Sequence, residues 1–197
     1  MDQRIDYGSR TRMRSVLVVY GTTEGQTRKI AEYIAHNLED RGVQLDLVDS
    51  ATASAALTQP VYVAAIACGS VHQHKFQGAL VHFLLENKAW LNGIPTAFVS
   101  VSLAAAMKDE QSSAELTEVV EAFYRDTGWT PAITHHVAGA LRYSQYDYFK
   151  RLIMKLIAKH QGGDTDTTCD HEYTDWSDLR RFVDEFVTAT QIQPSGH

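Results

Sequence analysis

Short apolar segments alternate with amphipathic helical segments along most of this chain, and this alternation restricts the fold more than any other feature of the sequence. The segments with the composition of strands are 15–21, 43–49, 61–69, 94–103 and 132–141. The segments with helical periodicity are 25–42, 78–90, 113–128 and 174–190. Because a strand–helix–strand repeat places successive strands parallel to each other, this order predicts an α/β fold with one doubly wound parallel sheet.

The polarity of the five strand segments predicts their order in the sheet. The first, third and fourth segments (SVLVVYG, VYVAAIACG and IPTAFVSVSL) are apolar almost throughout, as strands covered on both faces are. The second and fifth segments are more polar, which is typical of strands at an edge. This distribution fits the five-stranded order 2-1-3-4-5.

Composition fits one domain and narrows the classes of partner. Of the 197 residues, 44% are hydrophobic and 21% charged, and we expect a flexible tail at 1–14, one domain at 15–193 and an insert at 142–170. The tail lacks the hydrophobic stretch of a secretory signal, and no apolar run approaches the roughly 20 residues needed to span a bilayer. Cys68 and Cys169 are too few for a disulfide framework, which favours a reducing, cytoplasmic compartment. The net charge of −6 argues against nucleic acid as a partner.

The loop after the first strand segment combines hydroxyl groups with the start of a helix. It reads YGTTEGQTRKIA (20–31). The hydroxyls of Thr22, Thr23 and Thr27, together with free backbone N–H groups and the helix dipole, would satisfy a phosphate. Ordinary capping of the helix by a threonine is the alternative. The chain has no GxxxxGK(S/T) or GxGxxG motif, which argues against nucleoside triphosphates and dinucleotides.

Two stretches of the chain resemble a known family. GTTEGQTRKIA is similar to the FMN-phosphate loop of flavodoxins, and AGALRYSQYDYFKRLIMKLIAKHQGGDTDT with the later YTDW resembles the menaquinone-dependent protoporphyrinogen IX dehydrogenases. The resemblance covers about residues 15–187. It implies a flavodoxin-like domain with noncovalent FMN that oxidises protoporphyrinogen IX to protoporphyrin IX in haem biosynthesis and passes electrons to a membrane quinone. A flavodoxin-type electron carrier and an NAD(P)H:quinone oxidoreductase of the same fold are the alternatives.

The resemblance also implies positions for the cofactor. The phosphate would be held by Thr22, Thr23, Glu24, Gly25, Gln26 and Thr27. The isoalloxazine ring would lie between the loops after the third and fourth strands, at Gly69, Ser70, Val71, His72, Ser100, Val101, Ser102 and Leu103. No catalytic acid or base is assigned, and the candidates for a place near the substrate are His72, His74 and Arg142. Cations that could meet the acidic porphyrinogen are Lys75, Lys108 and Arg142.

The loop after the third strand departs from the flavodoxin pattern. Many flavodoxins place an aromatic ring there to stack on the flavin. This loop, GSVHQHKF (69–76), offers His72, His74 and Phe76 instead.

The predicted insert contains a helix with a basic side and an apolar side. Five cations and one carboxylate give residues 142–160 a net charge of +4, so the rest of the chain carries −10. We predict peripheral attachment to the inner face of the cell membrane. The predicted contacts are Phe149, Lys150, Arg151, Leu152, Ile153, Lys155, Leu156 and Lys159. Packing of this helix on the protein's own core or on a second copy is the alternative, which leaves a homo-oligomer open.

No metal site is predicted. The histidines of HQH (72–74) and HH (135–136) lack a third ligand at suitable spacing. The acid-rich residues 164–175 lack the glycine and glutamate of a calcium-binding loop.

Overall fold

The structure, a computed structural model, describes residues 15–53, 62–107, 109–141 and 171–192. The strands are β1 (Ser15–Gly21), β2 (Gln44–Asp49), β3 (Tyr62–Ser70), β4 (Thr96–Ser102), β5 (Ile133–Ala138), β6 (Ala140–Leu141) and β7 (His171–Glu172). The helices are α1 (Gln26–Glu39), α2 (Gly78–Leu91), α3 (Glu110–Thr127) and α4 (Trp176–Thr190). The predicted tail, the predicted membrane contacts, Lys108, Arg142 and Cys169 lie outside the described residues.

Five parallel strands form the central sheet in the order β2-β1-β3-β4-β5. This confirms the predicted flavodoxin-like α/β fold and strand order. All seven residues of β4 are buried, whereas β2 has no fully buried residue. The more polar segments therefore do lie at the edges, where one side of the strand is unpaired.

Helices cover both faces of the sheet, which is why the central strands do not alternate between apolar and polar residues. On one face, Val16 and Val18 of β1 pack with α1 and α4; the apolar residues of these helices are Ile30, Ile34, Leu38, Leu179, Phe182, Val183 and Phe186. On the other face, Leu17 and Val19 pack with α2 and α3; the corresponding residues are Leu80, Phe83, Leu84, Leu116, Val120 and Phe123.

Side-chain capping fixes where two of the helices begin. Asp109 accepts a hydrogen bond from the Ser112 N–H at 2.9 Å, so α3 starts at Glu110, three residues before the predicted start. The sequence interpretation missed this start because the first turn of α3 is polar. Asp175 caps α4, with its carboxylate accepting from the N–H groups of Ser177 and Asp178.

The predicted strand 132–141 was wrong in its last residues. The sheet strand β5 ends at Ala138, and β6 pairs antiparallel with β7 instead of continuing in the main sheet. The partner strand comes from about thirty residues further along the chain, so no local pattern could indicate this pairing. The β6–β7 ladder brings residues 141 and 171 together, next to the end of β5.

Within the four described ranges, no helix is long and apolar enough to cross a membrane.

Candidate functional site

A cleft lies where the carboxyl ends of β1, β3, β4 and β5 meet, which is the usual ligand-binding edge of an open parallel sheet. Its empty space, part of which is open solvent, amounts to about 490 Å3. Its lining residues are Thr22, Thr23, Glu24, Gln26, Thr27, Ser70, Val71, His72, Val101, Ser102, Leu103, Gly139 and Ala140. The loop after β1 supplies one wall, the loops after β3 and β4 supply another, and the chain beyond β5 completes it.

Most of the residues expected at a cofactor line this one cleft. Three of the expected residues are not in the lining: Gly25 caps α1, Gly69 packs beneath α2, and Ser100 is fully buried in β4. The Oγ atom of Ser100 has no hydrogen-bond partner within the described part of the chain. Gly139 and Ala140 line the cleft and are not among the cofactor residues that the sequence predicted.

The loop after β1 leaves the start of α1 without a side-chain cap. Gly25 is the N-cap residue, with φ 90° and ψ −12°, and no side chain caps this end of the helix. The Gly25 N–H donates instead to Thr22 Oγ1 at 2.9 Å, which closes the loop on itself. The N–H groups in the first turn of a helix have no intrahelical acceptor. The positive end of the α1 dipole therefore faces the cleft, with free N–H groups and the hydroxyls of Thr22, Thr23 and Thr27. No threonine caps the helix, so that alternative does not apply.

Two cations in the first turn of α1 are paired with carboxylates. Arg28 Nε lies 2.8 Å from Glu32 Oε1, and Lys29 Nζ lies 3.3 Å from Glu172 Oε2. Among the described residues, the lining contains one carboxylate, that of Glu24, and no lysine or arginine. An anion at this end would be held by neutral hydroxyl and amide donors together with the helix dipole.

Gln77 joins two walls of the cleft, and the sequence interpretation did not identify it. Its Oε1 accepts from the Ser70 N–H at 3.2 Å, and its Nε2 donates to Thr23 Oγ1 at 3.3 Å and to Ser70 Oγ. The close packing of α2 on β1 requires a glycine at residue 21, because a Cβ there would lie 2.9 Å from Leu80 Cβ. In the sequence, Gln77 stands immediately before a helical segment. That position indicates a helix cap and gives no sign of a contact between Thr23 and Ser70.

The loop after β3 makes a tight turn at the mouth of the cleft. His72 and Lys75 exchange backbone hydrogen bonds of 2.8 and 3.0 Å. The two residues between them, Gln73 and His74, have φ values of 48° and 60°, as a type I′ turn requires. His72 lines the cleft, whereas His74 and Lys75 are exposed.

The aromatic ring of this loop serves the core. Phe76 is buried, and its ring centroid lies 5.1 Å from that of Phe98 and 4.5 Å from that of Phe123. On the β3 side, Val71 and His72 therefore take the place at the cleft that an aromatic residue holds in many flavodoxins.

Two histidines on β5 have perturbed protonation. Burial lowers the pKa of His135, although the nearby Asp178 carboxylate, whose Oδ2 lies 3.1 Å from His135 Nε2, acts in the opposite sense. Burial also lowers the pKa of His136, and the neighbouring His135 adds to this effect. Neither residue lines the cleft.

Among the residues that the structure describes, no group of three His, Cys, Asp or Glu side chains is placed to hold a metal ion.

Comparison with known proteins agrees with this geometry. The flavodoxin domain family matches residues 17–168. The chain is 32% identical, over 174 residues, to a protein of Escherichia coli strain K12 named protoporphyrinogen IX dehydrogenase (quinone), and the alignment covers 88% of this chain and 95% of that protein. This chain belongs to the protoporphyrinogen IX dehydrogenase (quinone) family. A family member from Leishmania major is also 32% identical, over 179 residues, with 90% of this chain and 77% of that protein covered.

Solved flavodoxins share the fold of this protoporphyrinogen IX dehydrogenase family member. A short-chain flavodoxin associated with a bacterial microcompartment superposes with a TM-score of 0.55 at 12% identity, covering 90% of this chain and 99% of that one. The flavodoxin domain of the family identifies FMN as the cofactor. The cleft fits this assignment, because its uncapped helix end and its hydroxyl groups are the donors that a ribityl phosphate needs.

Proposed function

We propose that the protein oxidises protoporphyrinogen IX to protoporphyrin IX, with FMN held in the cleft and a membrane quinone as the electron acceptor. The observation that carries this proposal is an uncapped, hydroxyl-lined helix end at the cleft of a flavodoxin domain whose relatives are named for this reaction. The same relatives favour the enzyme over a flavodoxin that only carries electrons between proteins.

The residues of the cleft divide into two groups by what they would hold. The hydroxyls of Thr22, Thr23 and Thr27 and the N–H groups at the start of α1 would bind the phosphate. The walls at Val71–His72 and Ser102–Leu103 would hold the isoalloxazine ring and exclude water from it. When bound, FMN supplies the acceptance and release of electron pairs that amino-acid side chains cannot perform, and three such two-electron steps convert one porphyrinogen to the porphyrin.

Two described residues of the lining can accept a proton near the porphyrinogen, the His72 imidazole and the Glu24 carboxylate. His72 lies on the wall assigned to the ring, whereas Glu24 lies in the phosphate loop. His72 is therefore the candidate to take up protons released as the porphyrinogen is oxidised. The tight turn at Gln73–His74 fixes its backbone.

An anaerobic assay tests the proposed reaction. The purified protein is loaded with FMN and mixed with protoporphyrinogen IX and a soluble menaquinone analogue, and porphyrin fluorescence is followed. We expect a fluorescence increase that requires both the protein and the quinone. Porphyrin formation no faster than in the protein-free control would contradict the proposal. Reduction of the flavin by NADPH instead, seen as loss of its visible absorbance, would favour the NAD(P)H:quinone oxidoreductase alternative.

We further propose that the protein attaches to the inner face of the cell membrane through residues 142–170. Two observations support this. The sequence concentrates a net charge of +4 in residues 142–160, and the β6–β7 ladder that brackets the segment includes Ala140, a residue of the cleft lining. Lipid attachment at that position would bring a quinone dissolved in the bilayer close to the flavin.

Vesicle co-sedimentation tests the attachment. The full chain and a variant without residues 144–165 are mixed with vesicles containing phosphatidylglycerol and with neutral phosphatidylcholine vesicles. We expect the full chain to pellet with the anionic vesicles and the deletion variant to stay in the supernatant. Equal pelleting of the two proteins would refute a membrane role for the segment. Sedimentation velocity without lipid would show whether the segment instead joins two copies of the chain.

A further inference from the structure

The chain that follows residue 170 is fastened to helix α1. We call residues 171–176 the return segment. Its Glu172 carboxylate lies 3.3 Å from Lys29 Nζ and accepts from Trp176 Nε1 at 2.8 Å. The hydroxyl of Tyr33 donates to the Trp176 carbonyl at 3.1 Å, and the two rings lie 4.8 Å apart. Because α1 also begins at the cleft, the return segment is held to the same element that carries the phosphate loop.

Within the return segment, Thr174 connects two walls of the cleft. Gln26 Nε2 donates to Thr174 Oγ1 at 3.0 Å, and Thr174 Oγ1 donates to the carbonyl of Ala138 at 2.8 Å. Gln26 lines the phosphate side of the cleft, and Ala138 directly precedes the lining residues Gly139 and Ala140. One hydroxyl thus acts as acceptor for one wall and donor for the other, which no apolar side chain of the same shape can do.

A backbone contact strengthens this connection. The N–H of Tyr173, next to Thr174, donates to the carbonyl of Gly139 at 3.1 Å, and the Gly139 N–H donates to Ser102 O at 3.2 Å. Gly139 is therefore held between the return segment on one side and the end of β4 on the other. The return segment and β4 therefore both help to position the wall beyond β5.

We propose that Thr174 is a positioning residue for the FMN cleft, and that it couples occupation of the cleft to the ordering of the return segment. This inference rests on the proposed binding of FMN. A ligand that fits the assembled cleft binds best when Gln26 and the Gly139 wall are both in position, so its binding stabilises the contacts that keep them there. By thermodynamic reciprocity, contacts that order the return segment tighten FMN binding by the same factor.

Replacing Thr174 by valine tests the role of the hydroxyl, since valine keeps the shape and removes both hydrogen bonds. We expect the Kd for FMN, measured by quenching of flavin fluorescence, to rise about five- to thirtyfold, the effect of losing one or two ordinary hydrogen bonds. Thr174→Ser keeps the hydroxyl and should stay within about threefold of wild type. The matched control is Thr188→Val, which removes a hydroxyl that donates to the Asp184 carbonyl at 2.8 Å near the other end of α4; its Kd should not change.

Hydrogen–deuterium exchange of the return segment separates coupling from a purely structural role. In the wild type, FMN should slow exchange in a peptide covering residues 171–176, because the Tyr173 N–H to Gly139 bond is stabilised. In Thr174→Val, this slowing by FMN should be reduced at least threefold. A peptide from α3 should show no response to FMN in either protein.

The outcomes separate this inference from the proposed function. Wild-type affinity for FMN in Thr174→Val, or equal weakening by valine and serine, would overturn the role of the hydroxyl. If Thr174→Val does not fold, the serine variant and the wild-type exchange data decide, and FMN-independent exchange at residues 171–176 would overturn the coupling. A wild-type protein that takes up no FMN would overturn the proposed function itself.

Discussion

The backbone at Gly25 allows the geometry of the phosphate loop to be tested by one added methyl group. Gly25 caps α1 with φ 90°, in the left-handed region where a side chain is strained. An L-residue there costs roughly 1–2 kcal/mol. We expect Gly25→Ala to lower the free energy of unfolding of the FMN-free protein by about that amount.

Gly78, the first residue of α2, provides a matched control in which alanine is expected to raise the free energy of unfolding instead of lowering it. A Cβ at Gly78 would meet no atom within 4 Å, and its φ is not in the left-handed region. Alanine restricts the unfolded chain at such a site without straining the folded one, so Gly78→Ala should stabilise by about 0.4–1 kcal/mol. The two variants should therefore differ by about 1.5–3 kcal/mol, although each adds one methyl group at a helix start.

Urea denaturation of the two variants without FMN measures this difference, and a chain of this size shifts its Tm by roughly 2–4 °C per kcal/mol. A flavin titration is the second readout. Relief of the strain at residue 25 would move the N–H groups that hold the phosphate, so FMN affinity should fall in Gly25→Ala and stay unchanged in Gly78→Ala. Equal stability of Gly25→Ala and wild type would refute the left-handed loop, and with it the argument for the open helix end.

Three further changes test other parts of the account. Gln77→Leu should weaken FMN binding severalfold in a fluorescence titration, because it disconnects Thr23 from Ser70, whereas Gln111→Leu on the exposed face of α3 should not. Phe98→Ala should lower the free energy of unfolding by about 3–5 kcal/mol in urea, since Phe98 is fully buried among aromatic rings. Burial lowers the pKa of His135 and His136, so their contribution to the free energy of unfolding should be complete above about pH 6.5 and fall as the pH drops toward the folded-state pKa. The variant with glutamine at both positions should lose less stability than wild type between about pH 7.5 and 5.5.

The parts of the fold that sequence reasoning predicted are those set by local periodicity. The apolar segments around Val16 and Ile66 are buried on both faces, and the repeat of Ile30, Ile34 and Leu38 turns one side of α1 to the core. Burial that follows the strand and helix periods leaves a signal in the sequence itself. The polar composition of the second and fifth strand segments predicted that they lie at the edges of the sheet, and so predicted the strand order.

The parts that were missed depend on residues distant in sequence. Thr174 and Gln26 are separated by 148 positions, and β7 pairs with a strand that precedes it by about thirty residues. Thr174 stands directly before Asp175, the cap of the following helix, and its local sequence does not indicate the contact with Gln26. Gln77 has the same character, since its bridge from Thr23 to Ser70 exists only after two strands are neighbours in the sheet. Such contacts are products of the fold and leave no local pattern.

The most direct test of the account compares FMN with riboflavin as ligands for the protein freed of its flavin. The two differ only in the phosphate, which we assign to the threonine hydroxyls and the N–H groups at the start of α1. Several charge-assisted hydrogen bonds to one phosphate correspond to an affinity difference of about a hundredfold or more. We predict tight, fluorescence-quenching binding of FMN and at least that much weaker binding of riboflavin. Equal affinity for the two flavins, or no binding of either, would contradict the central claim.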